Sequence, residues 1–269
     1  MAEDAGKVGG EGGEQAALEA SRMPLRQHLE ELRGCLFRSF IAFVVLFAVG
    51  FYFVDELISF IILPYEWARA RIVEDGGPDP GTLVLIRPAE GFIFAMKVAG
   101  SFAIMGGTPL FLREVWSFVG AGLLARERKA IFKAFPFAVG LFLLGLAFGF
   151  TVLLQLAYPI LLTFVSEEVA RPTITLSEYF FSLRSLTLLM GFVFELPILM
   201  WLVVRSGLVQ YATLAGSRRV ALLVMLIFAA IMTPPDVVTQ VLVVIPMAAL
   251  YEVGLLLAKR ADKATRSAG

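Results

Sequence analysis

Long apolar stretches alternate along this chain with short clusters of charge, and the length of each stretch predicts the element it forms. A helix rises about 1.5 Å per residue, so about 20 apolar residues cross the roughly 30 Å hydrocarbon core of a bilayer. Six stretches answer to that ruler. The first, 35–54, ends at Asp55, and the second, 91–118, carries Lys97 and Arg113 near its ends and a Gly106-Gly107-Thr108-Pro109 interruption that predicts a bend. The third, 135–158, is expected to stop at Pro159, and the fourth covers 185–204. The fifth, 220–233, has only about 14 residues between Arg219 and Pro234-Pro235, or roughly 21 Å, too short for an unperturbed bilayer. The sixth, 237–258, is long enough, but Gln240 and Glu252 trim its apolar part. Five and six are therefore expected to form a short pair joined by a tight Pro-Pro-Asp turn. Between the first two spans, the apolar and aromatic stretch 57–67 reads as an amphipathic element lying along the membrane interface.

Composition agrees with this pattern. The chain is 58% hydrophobic and 17% charged, against roughly 45–50% and 25% in soluble domains. The fold class is an all-α polytopic membrane protein with six transmembrane helices. A formal net charge of zero argues against a nucleic-acid partner. One cysteine, Cys35, excludes an internal disulfide or a thiolate metal cluster, and neither a metal nor an organic cofactor is indicated. Residues 1–23 are rich in Gly, Ala and Glu, lack the apolar core of a cleavable signal, and read as a disordered tail. They precede a membrane domain over 24–258 and a basic tail over 259–269. Of the 23 basic residues, 17 fall on one side of the membrane if the N-terminus is cytoplasmic, so both termini are expected inside a prokaryotic plasma (inner) membrane.

The conspicuous residue is Glu195, midway through the fourth stretch with about ten uncharged residues on either side, between Arg184 and Arg205. A charge at that depth costs roughly 2.5–3.5 kcal/mol even on lenient scales, so it implies a use or a partner. Three further clusters stand out. His28-Leu29-Glu30-Glu31-Leu32-Arg33 precedes the first span on an amphipathic segment, with Gln27, Glu31 and Cys35 sharing one face. Ala125-Arg126-Glu127-Arg128-Lys129 sets one acid among bases in the loop after the second span, and Thr233-Pro234-Pro235-Asp236-Val237-Val238-Thr239-Gln240 opens the sixth, where Asp236 is placed to cap the helix. By residue type alone Glu31 and Glu127 are ordinary interfacial charges, His28 and Cys35 packing residues, and Gln240 a partner for a neighbouring backbone group or for another protein.

Taken together and in order, these motifs resemble the TatC family, the receptor subunits of the twin-arginine protein translocase. They are His28 to Arg33, Val115-Trp116-Ser117-Phe118 followed by Glu127, Phe194 to Pro197, and Thr233 to Gln240. The resemblance covers about 24–258 and departs at Gly34-Cys35, where many relatives are basic. It implies that Glu31 and Glu127 bind the paired arginines of signal peptides on folded precursor proteins. A guanidinium pairs bidentately with a carboxylate, a fork that lysine lacks. Arg33 and Arg128 would orient those acids, and Phe118 would belong to the same cytoplasmic surface. Glu195 and Gln240 would form an intramembrane polar site, while Asp236 and Pro64 would serve the external turn and its partner contacts. The implied partners are the single-span subunits TatA and TatB, other TatC copies and the bilayer, with transport driven by the proton gradient.

Two other classes compete. A proton-coupled carrier of a small solute would use Glu195, but no internal repeat is apparent. An intramembrane enzyme lacks a His-Glu-x-x-His motif, paired intramembrane aspartates or a serine with a base.

Overall fold

The structure, a computed structural model, describes residues 25–121, 125–163, 173–233 and 236–266, with side chains placed except at 25–29, 31, 116–133 and 264–266. The expected tail 1–23 and the Pro234-Pro235 pair lie outside the described residues. The elements are α1 (Leu25–Tyr52), α2 (Val54–Glu74), α3 (Glu90–Ala121) and α4 (Ala125–Phe148). A π-helical turn at Gly149–Leu153 joins α4 to α5 (Leu154–Thr163). Then come α6 (Leu176–Phe194), α7 (Leu196–Arg205), the short α8 (Tyr211–Gly216), α9 (Arg218–Met232) and α10 (Val237–Arg266). Among the described residues, five segments are long and apolar enough to cross a membrane: Leu32–Tyr52, Glu90–Val115, Ala134–Thr163, Leu176–Arg205 and Val237–Lys263. The remaining one, α9, has 15 residues, about 22 Å, and falls short as its sequence requires.

The helices pack as α1 on α3, α4 on α6, α7 on α10 and α2 on α5. Close approach needs glycine at two of these seams. A Cβ on Gly145 of α4 would lie 2.4 Å from the Met190 carbonyl oxygen of α6, and one on Gly254 of α10 would lie 3.2 Å from Pro197 Cα.

Several local expectations give way to this packing. Pro64 forms no turn: it lies buried inside α2, whose face of Ile61, Tyr65, Ala68 and Ile72 joins the core while Phe60, Leu63 and Trp67 stay exposed. Proline removes one helical hydrogen bond, a loss the helix survives when a whole face is buried. Pro159 likewise sits within α5 and does not end it, and the Thr163 hydroxyl donates back to the Pro159 carbonyl (2.7 Å). Helix α6 starts at Leu176, nine residues before the expected 185, because Thr175 and Glu178 form a capping box. The Glu178 amide donates to Thr175 Oγ1 (3.2 Å) and the Thr175 amide to the Glu178 carboxylate (3.4 Å). That start draws Arg184 into the helix, its guanidinium 6.0 and 5.9 Å from the Phe180 and Phe181 rings, within cation–π range. Helix α10 continues past Ala258 to Arg266, so the basic stretch expected as a tail is helical that far.

Candidate functional site

Glu195 sits at a break. Helix α6 ends at Phe194, Glu195 makes the turn, and α7 begins one residue before Pro197. Pro197 has no amide to give to the carbonyl four residues back. The Glu195 amide donates to Phe192 O (3.1 Å), and its carbonyl accepts from Ile198 and Leu199 (3.1 and 3.0 Å). The side chain is 4% exposed, and among the described residues Oε1 has no hydrogen-bond partner. An unmade hydrogen bond at a buried polar atom costs about 1–3 kcal/mol. Around it stand the Phe148–Phe194 ring pair (5.5 Å) and the Gly254–Pro197 seam.

Gln240 belongs elsewhere. Its Nε2 donates to Leu226 O (3.1 Å), and it precedes Gly254 by 14 residues, about 21 Å along α10. Gly254 packs against Pro197, beside Glu195, so the expected grouping of Glu195 and Gln240 in one polar site does not form. Gln240 instead ties α9 to α10 near one end, and at the other Arg218 binds Glu252 through two hydrogen bonds (2.7 and 3.3 Å). Asp236 caps α10, accepting from the Thr239 amide (2.6 Å) and from its hydroxyl. With Glu178, Tyr158, Ser182 and Thr239 it lines a cavity of about 240 Å³.

At the end of the bundle that carries the N-terminus, Arg38 of α1 clamps Glu114 of α3. Nε donates at 2.9 Å and Nη2 donates to the same oxygen. The Cys35 thiol reaches the Glu114 carbonyl (3.8 Å). Arg33 is exposed and forms no ion pair with a described acid. The side chains of Glu31, Phe118, Glu127 and Arg128 lie outside the described ones. Their backbones are helical: Glu31 stands seven residues, about 10 Å, beyond Arg38 on α1, and Glu127 lies in the first turn of α4. Glu31, Cys35 and Arg38 share one face of α1. Sequence reading passed over Arg38 and Glu114. Their pairing spans 76 residues, and the only available signal was Arg38 lying one turn beyond the missing basic residues at Gly34-Cys35.

A family model described as TatC, Sec-independent protein translocase protein, matches residues 27–246. A Sec-independent protein translocase protein TatC of Carboxydothermus hydrogenoformans is 32% identical over 243 residues, covering 90% of this chain and 95% of that protein. One of Helicobacter pylori is 34% identical over 242 residues, covering 90% and 91%. A crystal structure of the twin-arginine translocase receptor TatC superposes with a TM-score of 0.74 at 27% identity, covering 87% of this chain and 99% of that one.

Proposed function

The chain belongs to the TatC family of Sec-independent protein translocase proteins, and from that membership we propose that it is the signal-peptide receptor of a twin-arginine translocase. The observation that carries this reading is the likeness to the receptor structure over 99% of that chain. The family match over 27–246 also encloses all four sequence clusters. The chain is a transport protein and not an enzyme.

In this reading the receptor sits in a prokaryotic plasma membrane with both termini cytoplasmic, and works with TatA, TatB and further copies of itself. Glu31 and Glu127 each take one arginine of the signal peptide. The Arg38–Glu114 clamp fixes the register of α1 against α3, and through it the spacing of the two receptor acids. Because Arg38 already neutralises Glu114, the cationic peptide is directed to the acids beyond the clamp. Glu195, with Oε1 unpartnered among the described residues, accepts a hydrogen bond from a polar side chain of a single-span partner, a contact worth about 1 kcal/mol in a membrane. Family membership sets aside the solute-carrier reading, which rested on Glu195 alone.

The test is binding of an Arg-Arg signal peptide and its Lys-Lys counterpart to the detergent-solubilised protein and to its Glu31→Gln and Glu127→Gln variants. The expected outcome is at least about tenfold preference for Arg-Arg, lost on either substitution, because each removes a charge-assisted pair worth about 1.5–3 kcal/mol. Equal binding of both peptides to all three proteins would overturn the reading.

A further inference from the structure

A groove of about 450 Å³ runs between three helices, α4, α7 and α10. Phe137 and Leu141 of α4, Ile198, Trp201 and Arg205 of α7, and Leu257 of α10 line it. Its volume is that of a small-molecule site. Its walls belong to the segments Ala134–Thr163, Leu176–Arg205 and Val237–Lys263, each apolar enough to cross a membrane. Phe137 is 69% exposed, so the groove is open to whatever surrounds the bundle.

One end differs from the rest. Ile198, Trp201 and Arg205 follow one another along a single face of α7, so an apolar strip about 10 Å long ends in a cation. The Arg205 guanidinium lies 5.3 Å from the Trp201 ring centroid, and no described carboxylate is within ion-pairing distance of it. Every other lining residue is uncharged. Arg205 is also the last residue of its span, the level at which tryptophan and arginine meet the headgroups. Lys259 and Arg260, both exposed, follow Leu257 within one turn of α10 and add positive charge at that end.

We propose that this groove binds one anionic phospholipid, with an acyl chain along Phe137, Leu141 and Ile198 and the headgroup phosphate on Arg205. A protein helix in the same place would have to bring an acid to the level of Arg205. A phospholipid carries chain and anion at that spacing by construction, and a guanidinium takes a phosphate bidentately. None of the residues that line the groove is one assigned to the signal peptide, so either reading survives the failure of the other.

The experiment is native mass spectrometry of the full-length, detergent-purified protein titrated with phosphatidylglycerol or with phosphatidylcholine of the same acyl chains. Phosphatidylglycerol should be retained about fivefold better, as one arginine at a membrane surface provides. Arg205→Gln should bring it down to the phosphatidylcholine level. Leu141→Trp, which fills the groove, should reduce retention of both lipids, and Arg218→Gln, on another face, should change neither. Equal retention of the two lipids by the parent protein would overturn the proposal, as would an unchanged preference in Arg205→Gln. Displacement of the lipid by inorganic phosphate would mark a free-anion site and overturn it too. If Arg205→Gln does not yield folded protein, the headgroup comparison in the parent and the Leu141→Trp variant still decide the matter.

Discussion

The two ends of this bundle are built on opposite terms. At one end α2, α5 and α6 bring together Tyr65, Tyr158 and Tyr179, with ring centroids 5.4 to 6.4 Å apart. The Tyr179 hydroxyl donates to Ile61 O (2.6 Å), beside the turn that Pro64 loosens. The Tyr65 hydroxyl donates to Gly81 O (2.9 Å) and so holds the following loop. Burial raises the Tyr65 phenol above its ordinary range, so it stays a donor at any working pH. At the other end the Arg38–Glu114 clamp joins α1 to α3, with Arg38 60% exposed. The first end ties its tyrosine hydroxyls to its own backbone carbonyls. The second keeps charge in reach of solvent, which is what a surface for a cationic peptide requires.

The largest effect is expected at Tyr179. Tyr179→Ala should cost about 3–5 kcal/mol, as large aromatic truncations in cores do, and Tyr179→Phe about 0.5–1.5 kcal/mol through the lost hydrogen bond to the Ile61 carbonyl. Denaturant unfolding of the detergent-solubilised protein measures both. If Tyr179→Ala proved no worse than Arg38→Ala, the tyrosine end would contribute no more to stability than the clamp. Next comes Gly145→Val on the seam between α4 and α6, expected to lose about 1–3 kcal/mol by overpacking in the same unfolding measurement.

Arg38→Ala sharpens the contrast from the other side. Its loss of stability should stay below about 1 kcal/mol, since the Arg38 side chain is largely exposed, while affinity for an Arg-Arg peptide falls severalfold. A peptide titration that gave the parent affinity would show the clamp to be irrelevant to binding. The smallest effect is in the loop held by Tyr65. Arg69 donates twice to Asp79 (2.6 Å each), which holds the Asp79 carboxyl down at about 2, helped by the Gly81 amide. A depressed carboxyl contributes above its unfolded value near 4 and loses that contribution as pH falls toward 2. Protection of the amides over 76–86, measured against their intrinsic exchange rate, should therefore fall between pH 4 and 2 in the parent protein. In Asp79→Asn the exchange should already be fast at pH 5.

The sequence by itself determined the membrane class, the spans, the shortness of α9 and the family motifs. Lipid leaves little choice: a backbone with no water must close its own hydrogen bonds, so about 20 apolar residues become a helix wherever they occur. Capping is equally local, and the role of Asp236 was legible because its acceptor and the Thr239 amide are three residues apart. Tertiary structure decided what crosses between helices. Pro64 and Pro159 read as a turn and a stop, because proline's local rule is a lost bond, and only packing against Tyr158 and Tyr179 reveals that the helix outweighs it. Glu195 was recognisable as costly, but its oxygen without a partner among the described residues, its place against the far half of α10 from Gln240, and the Arg38–Glu114 clamp depend on which helix faces which. That choice is set by surfaces such as Gly145 against Met190 and Gly254 against Pro197, whose fit exists only once both helices are in place.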